Sequence, residues 1–280
     1  MRVTIPQFAT KAETFAYLRT NEKSLIKQKT SLPIKSDIYD FGCLPINEKQ
    51  TVKEDGTALN PNEIEVNAIA NLSGWCDSYM DVMIKDSWKN TINSKSIVYH
   101  LKNHRYSTDD IVGKDPELYS KMFDVSYFGI ESDVVKAQAL MMRSIVSKEY
   151  DEKTFYLYKD NQIKQHSIGL RYVIIKLCYD SEMEDDKQYK ENWDKYYPQV
   201  INKDLVDKYG YFFAVVEAKI LENSCVLFGA NENTGVYSSS AKEEEIEPTQ
   251  PVDETVVEVE PSDDTQKEEL ETPKRKRSII

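Results

Sequence analysis

Ser167, in the stretch KQHSIGLRY, and the three histidines His100, His104 and His166 are the residues whose types and spacing could carry covalent chemistry. A serine hydroxyl is a weak nucleophile at neutral pH and needs a base to take its proton as it attacks. An imidazole, with an ordinary pKa of about 6.5, suits that task. His166 adjoins Ser167, and on a strand neighbouring side chains point to opposite faces, so it is a poor base for that serine. His104, in YHLKNHRYS, ends a strand-like run and opens a polar loop, where a base would face a cleft. His100 lies four residues earlier, and on a strand an even spacing places both on one face. Were Ser167 a nucleophile, backbone N–H groups near Gly169 would be candidate oxyanion donors, which the sequence alone does not place.

Other chemistries find less support. The chain has no GxSxG elbow, P-loop, GxGxxG fingerprint or HExxH pair. Cys43, Cys76, Cys178 and Cys225 form no CxxC pair, and with three histidines that leaves no zinc spacing. Cys178 and Cys225 sit in apolar runs and read as small core residues. No metal or organic cofactor is expected. Of the net charge of −12, −7 falls on residues 241–280, which hold 13 acidic and 6 basic side chains. The remaining body is slightly acidic, which disfavours nucleic acid as a partner, since that binding rests on Lys and Arg at phosphates. The opening MRVTIPQF has no apolar signal core, and no segment approaches 18 apolar residues. The expectation is a reduced, intracellular, soluble chain with no membrane partner.

The elements that must position these residues follow from pattern. The 280 residues suffice for a substantial core. We expect an N-terminal extension over 1–60, a body over 61–240, and a tail over 241–280. In the extension, RVTIPQF reads as strand-like and KAETFAYLRTNEKSLIKQK as a helix, with a polar linker after Asn47. In the body, IEVNAIANLSGW, SIVYHLKNH, VSYFGIES, HSIGLRYVIIKLCYD and YFFAVVEAKILENSCVLF read as strands. DVMIKDSWKNTI begins a short helix. VVKAQALMMRSIVSKEY, rich in Ala, Leu and Met, and DEKTFYLYKDNQI read as helices. Charges and a proline over about 181–208 suggest an inserted surface excursion, and GANENTGV closes the body with turn residues. Strands and helices do not alternate regularly, so a doubly wound sheet is not expected. The fold class is α+β, a β-barrel or sandwich surrounded by helices. The acidic, proline-interrupted tail, ending in KRKR, is expected to be disordered.

Four segments in order, GWCDSYMDVMIKDSW, VYHLKNHRYSTDDIVGK, YKDNQIKQHSIGLRY and AKILENSCVLFGANENTGV, resemble the prohead maturation serine proteases of tailed phages, a group thought to share the herpesvirus assemblin fold. The shared pattern is a Gly-aromatic strand with acidic residues after it and a histidine-ending strand before a Val/Ile-Gly turn. A Ser-Ile-Gly strand and a final Leu-x-Glu-x-Ser-x-Val strand complete it. The likeness runs from about residue 64 to 236. It departs where Gly229 stands in place of the usual proline and where the 181–208 excursion lengthens the gap.

The resemblance implies a herpesvirus-protease-like β-barrel surrounded by helices, with Ser167 as nucleophile and His104 as base. It implies a serine endopeptidase of prohead maturation in the host cytoplasm, inside the assembling capsid. Its substrates would be the scaffold protein, a scaffold segment of the major capsid protein, and the enzyme itself; homo-oligomerisation is left open. Glu222 occupies the place of the family's last-strand glutamate and is the expected third member. His100 or Asp77 as orienting groups, or a His104–Ser167 dyad, stay open beside it. The competing class is a non-catalytic scaffolding or capsid assembly protein on the same fold.

Overall fold

The computed structural model describes residues 5–31, 60–227 and 235–241. Cys43, the polar linker after Asn47, most of the closing GANENTGV turn and the acidic tail beyond Ala241 lie outside the described residues, as do the first four residues of the chain. The described elements are, in order, α1 (Lys11–Ser31), β1 (Glu63–Leu72), β2 (Asp81–Met83), α2 (Lys89–Asn93), β3 (Tyr99–Lys102), β4 (Gly113–Asp124) and β5 (Lys136–Ser147). After them come α3 (Glu152–Lys159), β6 (Gln165–Tyr179), α4 (Lys187–Tyr196), α5 (Lys203–Tyr209), β7 (Tyr211–Val226) and β8 (Gly235–Ala241).

Helix α1 starts where Thr10 and Glu13 cap each other: the Glu13 N–H donates to Thr10 Oγ1 at 3.2 Å, and the Thr10 N–H to Glu13 Oε2 at 3.0 Å. It buries Leu18 and Leu25 in the largest hydrophobic cluster, so residues 11–31 share the body's core. Arg19 pairs with Asp186 at 2.8 Å, and the buried Lys29 with Asp81 at 2.5 Å.

The strands form two sheets. In one, β4, β5, β1 and β8 lie side by side, all antiparallel. In the other, β7 pairs antiparallel with β6 along one edge. Along its opposite edge it pairs parallel with β2 at residues 213–215 and with β3 at residues 222–225. Both sheets are open, and among the described residues no closed barrel forms. Backbone bonds nevertheless bridge them. Val112 N–H donates to His100 O at 3.0 Å and Ser147 N–H to Val112 O at 3.3 Å, while at the other end Ser73 N–H reaches Gln138 O and Gly74 N–H reaches Met83 O.

Several sequence expectations change. The run VVKAQALMMRSIVSKEY is strand β5 rather than a helix, because it lies between β4 and β1 and is buried on both faces. A centrally placed strand reads as a continuous apolar run, and helix propensity is too weak a preference to resist that packing. VSYFGIES is a 3₁₀ turn over Val125–Phe128, closed by Gly129 at φ 70°. β4 had no counterpart in the sequence reading. It is an edge strand with many exposed charges, interrupted between Lys114 and Glu117, where Asp115 takes φ 46° beside Pro116. Residues 5–10 form no strand, and the chain past Val236 continues as β8 to Ala241. The 181–208 segment is helical, and its Tyr189, Trp193 and Tyr196 are buried in the core.

Candidate active site

Strand β3 ends at Lys102, and the next two residues, Asn103 and His104, both adopt left-handed backbone conformations, at φ 53° and 54°. For a histidine this conformation costs on the order of 1–3 kcal/mol and persists only where surroundings enforce it. Here β7 does so: Asn103 N–H donates to Cys225 O at 3.0 Å, and His104 N–H donates to Ser224 Oγ at 3.1 Å. The turn breaks the alternation of β3 and sends the His104 ring to the sheet face that carries Glu222.

There, His104 Nδ1 and Glu222 Oε1 lie 2.6 Å apart. The other carboxylate oxygen, Oε2, accepts from Ser224 Oγ–H at 2.6 Å. Glu222 and Ser224 are both 0% exposed, and His104 is 7% exposed. A buried carboxylate is tolerable only when its lone pairs are met, and both oxygens are. A carboxylate only accepts, so Nδ1–H donating to Glu222 leaves Nε2 as the ring's acceptor, the polarity that a general base for a serine needs.

Ser167 stands directly opposite Ser224 in the β6–β7 ladder, and Gly169 opposite Glu222. Side chains directly opposite share a face with Cβ atoms about 5 Å apart, so Ser167 is on the face of Ser224 and Glu222. It is 3% exposed. Gly169 is a glycine because nothing larger fits: a Cβ there would lie 2.1 Å from Glu222 Oε1 and 2.7 Å from the Tyr106 hydroxyl oxygen. The residue first noted as a neighbour of oxyanion donors thus makes room for the carboxylate. Tyr106 is 53% exposed and reaches over this spot. Partial burial, and next the nearby Glu222 charge, push its hydroxyl pKa upward.

His100 and His166 lie on the opposite face, which corrects the expected sharing of a face by His100 and His104. Even spacing fails because β3 stops before His104. His166 Nδ1 accepts from Asn223 Nδ2 at 3.0 Å, which puts the proton of neutral His166 on Nε2, 3.0 Å from the Tyr158 hydroxyl. That hydroxyl in turn lies 3.0 Å from His100 Nε2. Burial depresses both imidazoles, His166 to about 3 and His100 well below its usual value, and raises the Tyr158 hydroxyl. Tyr158 comes from α3, whose N-cap Asp151 is ion-paired with Lys102 of β3.

Asp77, the other alternative orienting group, is at the far end of β7. Its carboxylate accepts from the Tyr79 and Asp81 N–H groups at 2.8 and 3.0 Å, where β2 pairs with residues 213–215, roughly 25 Å along the strand from Glu222. Burial, and next the neighbouring Asp81, push its pKa up to about 7.

Among the described residues, no group of three or more His, Cys, Asp or Glu side chains is arranged to hold a metal. Likewise, no helix among them is long and apolar enough to cross a membrane. The structure thus joins His104 to Glu222, places Ser167 on their face, and separates His100, His166 and Asp77 from them. Ser224 and Gly169 were not singled out from sequence as partners of the carboxylate. Their signal was the two-residue spacing Glu222–Ser224 and the register of two strands not yet paired. Comparison with protein-family models, with curated proteins and with solved structures finds no match to this chain.

Proposed function

We propose that this chain is a serine endopeptidase of the phage prohead-maturation type, acting inside an assembling capsid on scaffold protein, on scaffold segments of the major capsid protein and on itself. The observation that carries the reading is the 2.6 Å contact between His104 Nδ1 and Glu222, made on the sheet face that also bears Ser167. In this reading Ser167 attacks the peptide carbonyl while His104 Nε2 takes its proton and then delivers it to the leaving amine. Glu222 holds the ring's tautomer and stabilises the imidazolium. The herpesvirus-protease-like fold belongs to the same proposal, although the two sheets are open and no closed barrel forms among the described residues.

A non-catalytic assembly protein would have no use for a buried carboxylate bonded to a histidine beside a serine. The test is co-expression with candidate capsid and scaffold proteins. Ser167→Ala, which removes one hydroxyl from a strand, is expected to abolish processing with the fold intact. Undiminished cleavage by the folded variant would overturn the catalytic assignment.

A further inference from the structure

We propose that Ser224 is a positioning residue of the site, a clamp that fixes both the histidine backbone and the carboxylate; this rests on the protease reading above. Its hydroxyl makes two contacts with opposite polarity. It donates to Glu222 Oε2 at 2.6 Å, the length of a charge-assisted O–H···O⁻ bond, and accepts from the His104 backbone N–H at 3.1 Å. One atom thereby ties together the two ends of the His104–Glu222 bond.

The demands on that atom are specific. His104 sits in a left-handed conformation that carries an energetic cost for a histidine, and its N–H is satisfied by Ser224 Oγ. Glu222 is wholly buried, and its carboxylate has to present Oε1, rather than rotate, toward Nδ1. Gly169, lacking a Cβ, leaves the space that Oε1 occupies, and Ser224 anchors Oε2. A hydroxyl is a small group that both donates and accepts, which these two contacts require of one atom. Alanine would leave the carboxylate short of one hydrogen bond and the His104 N–H without its acceptor.

The experiment uses the full chain. In protein labelled with ¹⁵N-histidine, the Nδ1–H of His104, donating across 2.6 Å to a carboxylate, gives a strongly deshielded proton resonance, assigned by its loss in Glu222→Gln. We expect Ser224→Ala to shift that resonance upfield or broaden it away, and to lower kcat for scaffold cleavage about 10–100-fold with KM little changed. Ser224→Cys keeps a side chain of similar size that donates only weakly. It should show a smaller displacement in the same direction, and it carries the test if the alanine variant does not fold. A folded variant with the wild-type resonance and wild-type kcat would overturn the clamp. The resonance is read without substrate, so Ser224 is tested even if the wild type cleaves nothing, an outcome that would count against the protease reading instead.

Discussion

At the scale of the residue, Glu222 is the most exacting member of the site, because it is both buried and committed on both oxygens. Glu222→Gln keeps its shape and removes its charge, so the imidazolium loses its stabilising partner. We expect turnover to fall by about 10⁴ with the fold retained, measured as single-turnover cleavage of scaffold protein. Near-normal turnover would reduce the machinery to a Ser167–His104 dyad. Gly169→Ala makes a different point. Its methyl would overlap Glu222 Oε1, so the carboxylate has to move off His104. Activity should be lost along with about 1–3 kcal/mol of stability, by denaturant titration, as overpacking typically costs. These residues differ in how legible they were. His104, Ser167 and Glu222 were brought together in the sequence by the resemblance of four segments in order, and of these the His104–Glu222 contact is seen in the structure. The role of Gly169 was not legible, because it depends on which strand lies opposite, and register is not written locally.

At the scale of the element, the two faces of the β6–β7 ladder do different work. Ser167, Gly169, Glu222 and Ser224 lie on one, and His166 and Asn223 on the other, with Tyr158 and His100 joined to them. Strand alternation made the separation of His166 from Ser167 readable in sequence. It misplaced His100, because alternation holds only while the strand continues, and two left-handed residues end it. Strand β5 was misread for a related reason: its Ala, Leu and Met residues favour helix locally, and only the neighbours that bury it on both sides make it a strand. The buried histidine layer has a consequence for pH. His166 falls from 6.5 to about 3 on folding, so the unfolded chain binds the extra proton and stability is lost as pH falls below about 6.5. His100 acts in the same direction. Asp77 opposes them, since its pKa rises from 3.8 to about 7 and the folded state takes its proton first as pH falls. Two imidazoles against one carboxyl leave a net loss. In urea titrations between pH 6 and 4, His166→Gln should flatten the slope by about 1.4 kcal/mol per pH unit relative to wild type. An unchanged slope would show that His166 does not titrate in this way.

At the scale of the molecule, the N-terminal helix is a structural part of the body. A polar following segment made residues 1–60 look like an extension, and periodicity placed the helix over 11–29, two residues short of its end at Ser31. Its docking was hidden because the partners are far away in sequence. Lys29 reaches Asp81 at 2.5 Å and the Tyr79 carbonyl at 3.3 Å, with its ammonium 4.5 Å from the centre of the Phe213 ring. Asp81 also accepts from the Tyr172 hydroxyl at 2.9 Å, which ties α1 to β2 and β6 at one carboxylate. Both ends of the Lys29–Asp81 pair are at least nine-tenths buried. Breaking such a pair from one side leaves an uncompensated charge inside the protein, which costs about 3–5 kcal/mol. Lys29→Ala should therefore lower the unfolding free energy by about that amount. The double variant Lys29→Ala with Asp81→Asn truncates the stem equally but removes both charges, and should recover most of it. Because the pair is roughly 25 Å along β7 from Glu222, the double variant should keep the deshielded His104 resonance and its cleavage activity. Equal destabilisation by the single and double variants would mean that packing of the Lys29 stem, rather than its charge, holds the helix in place.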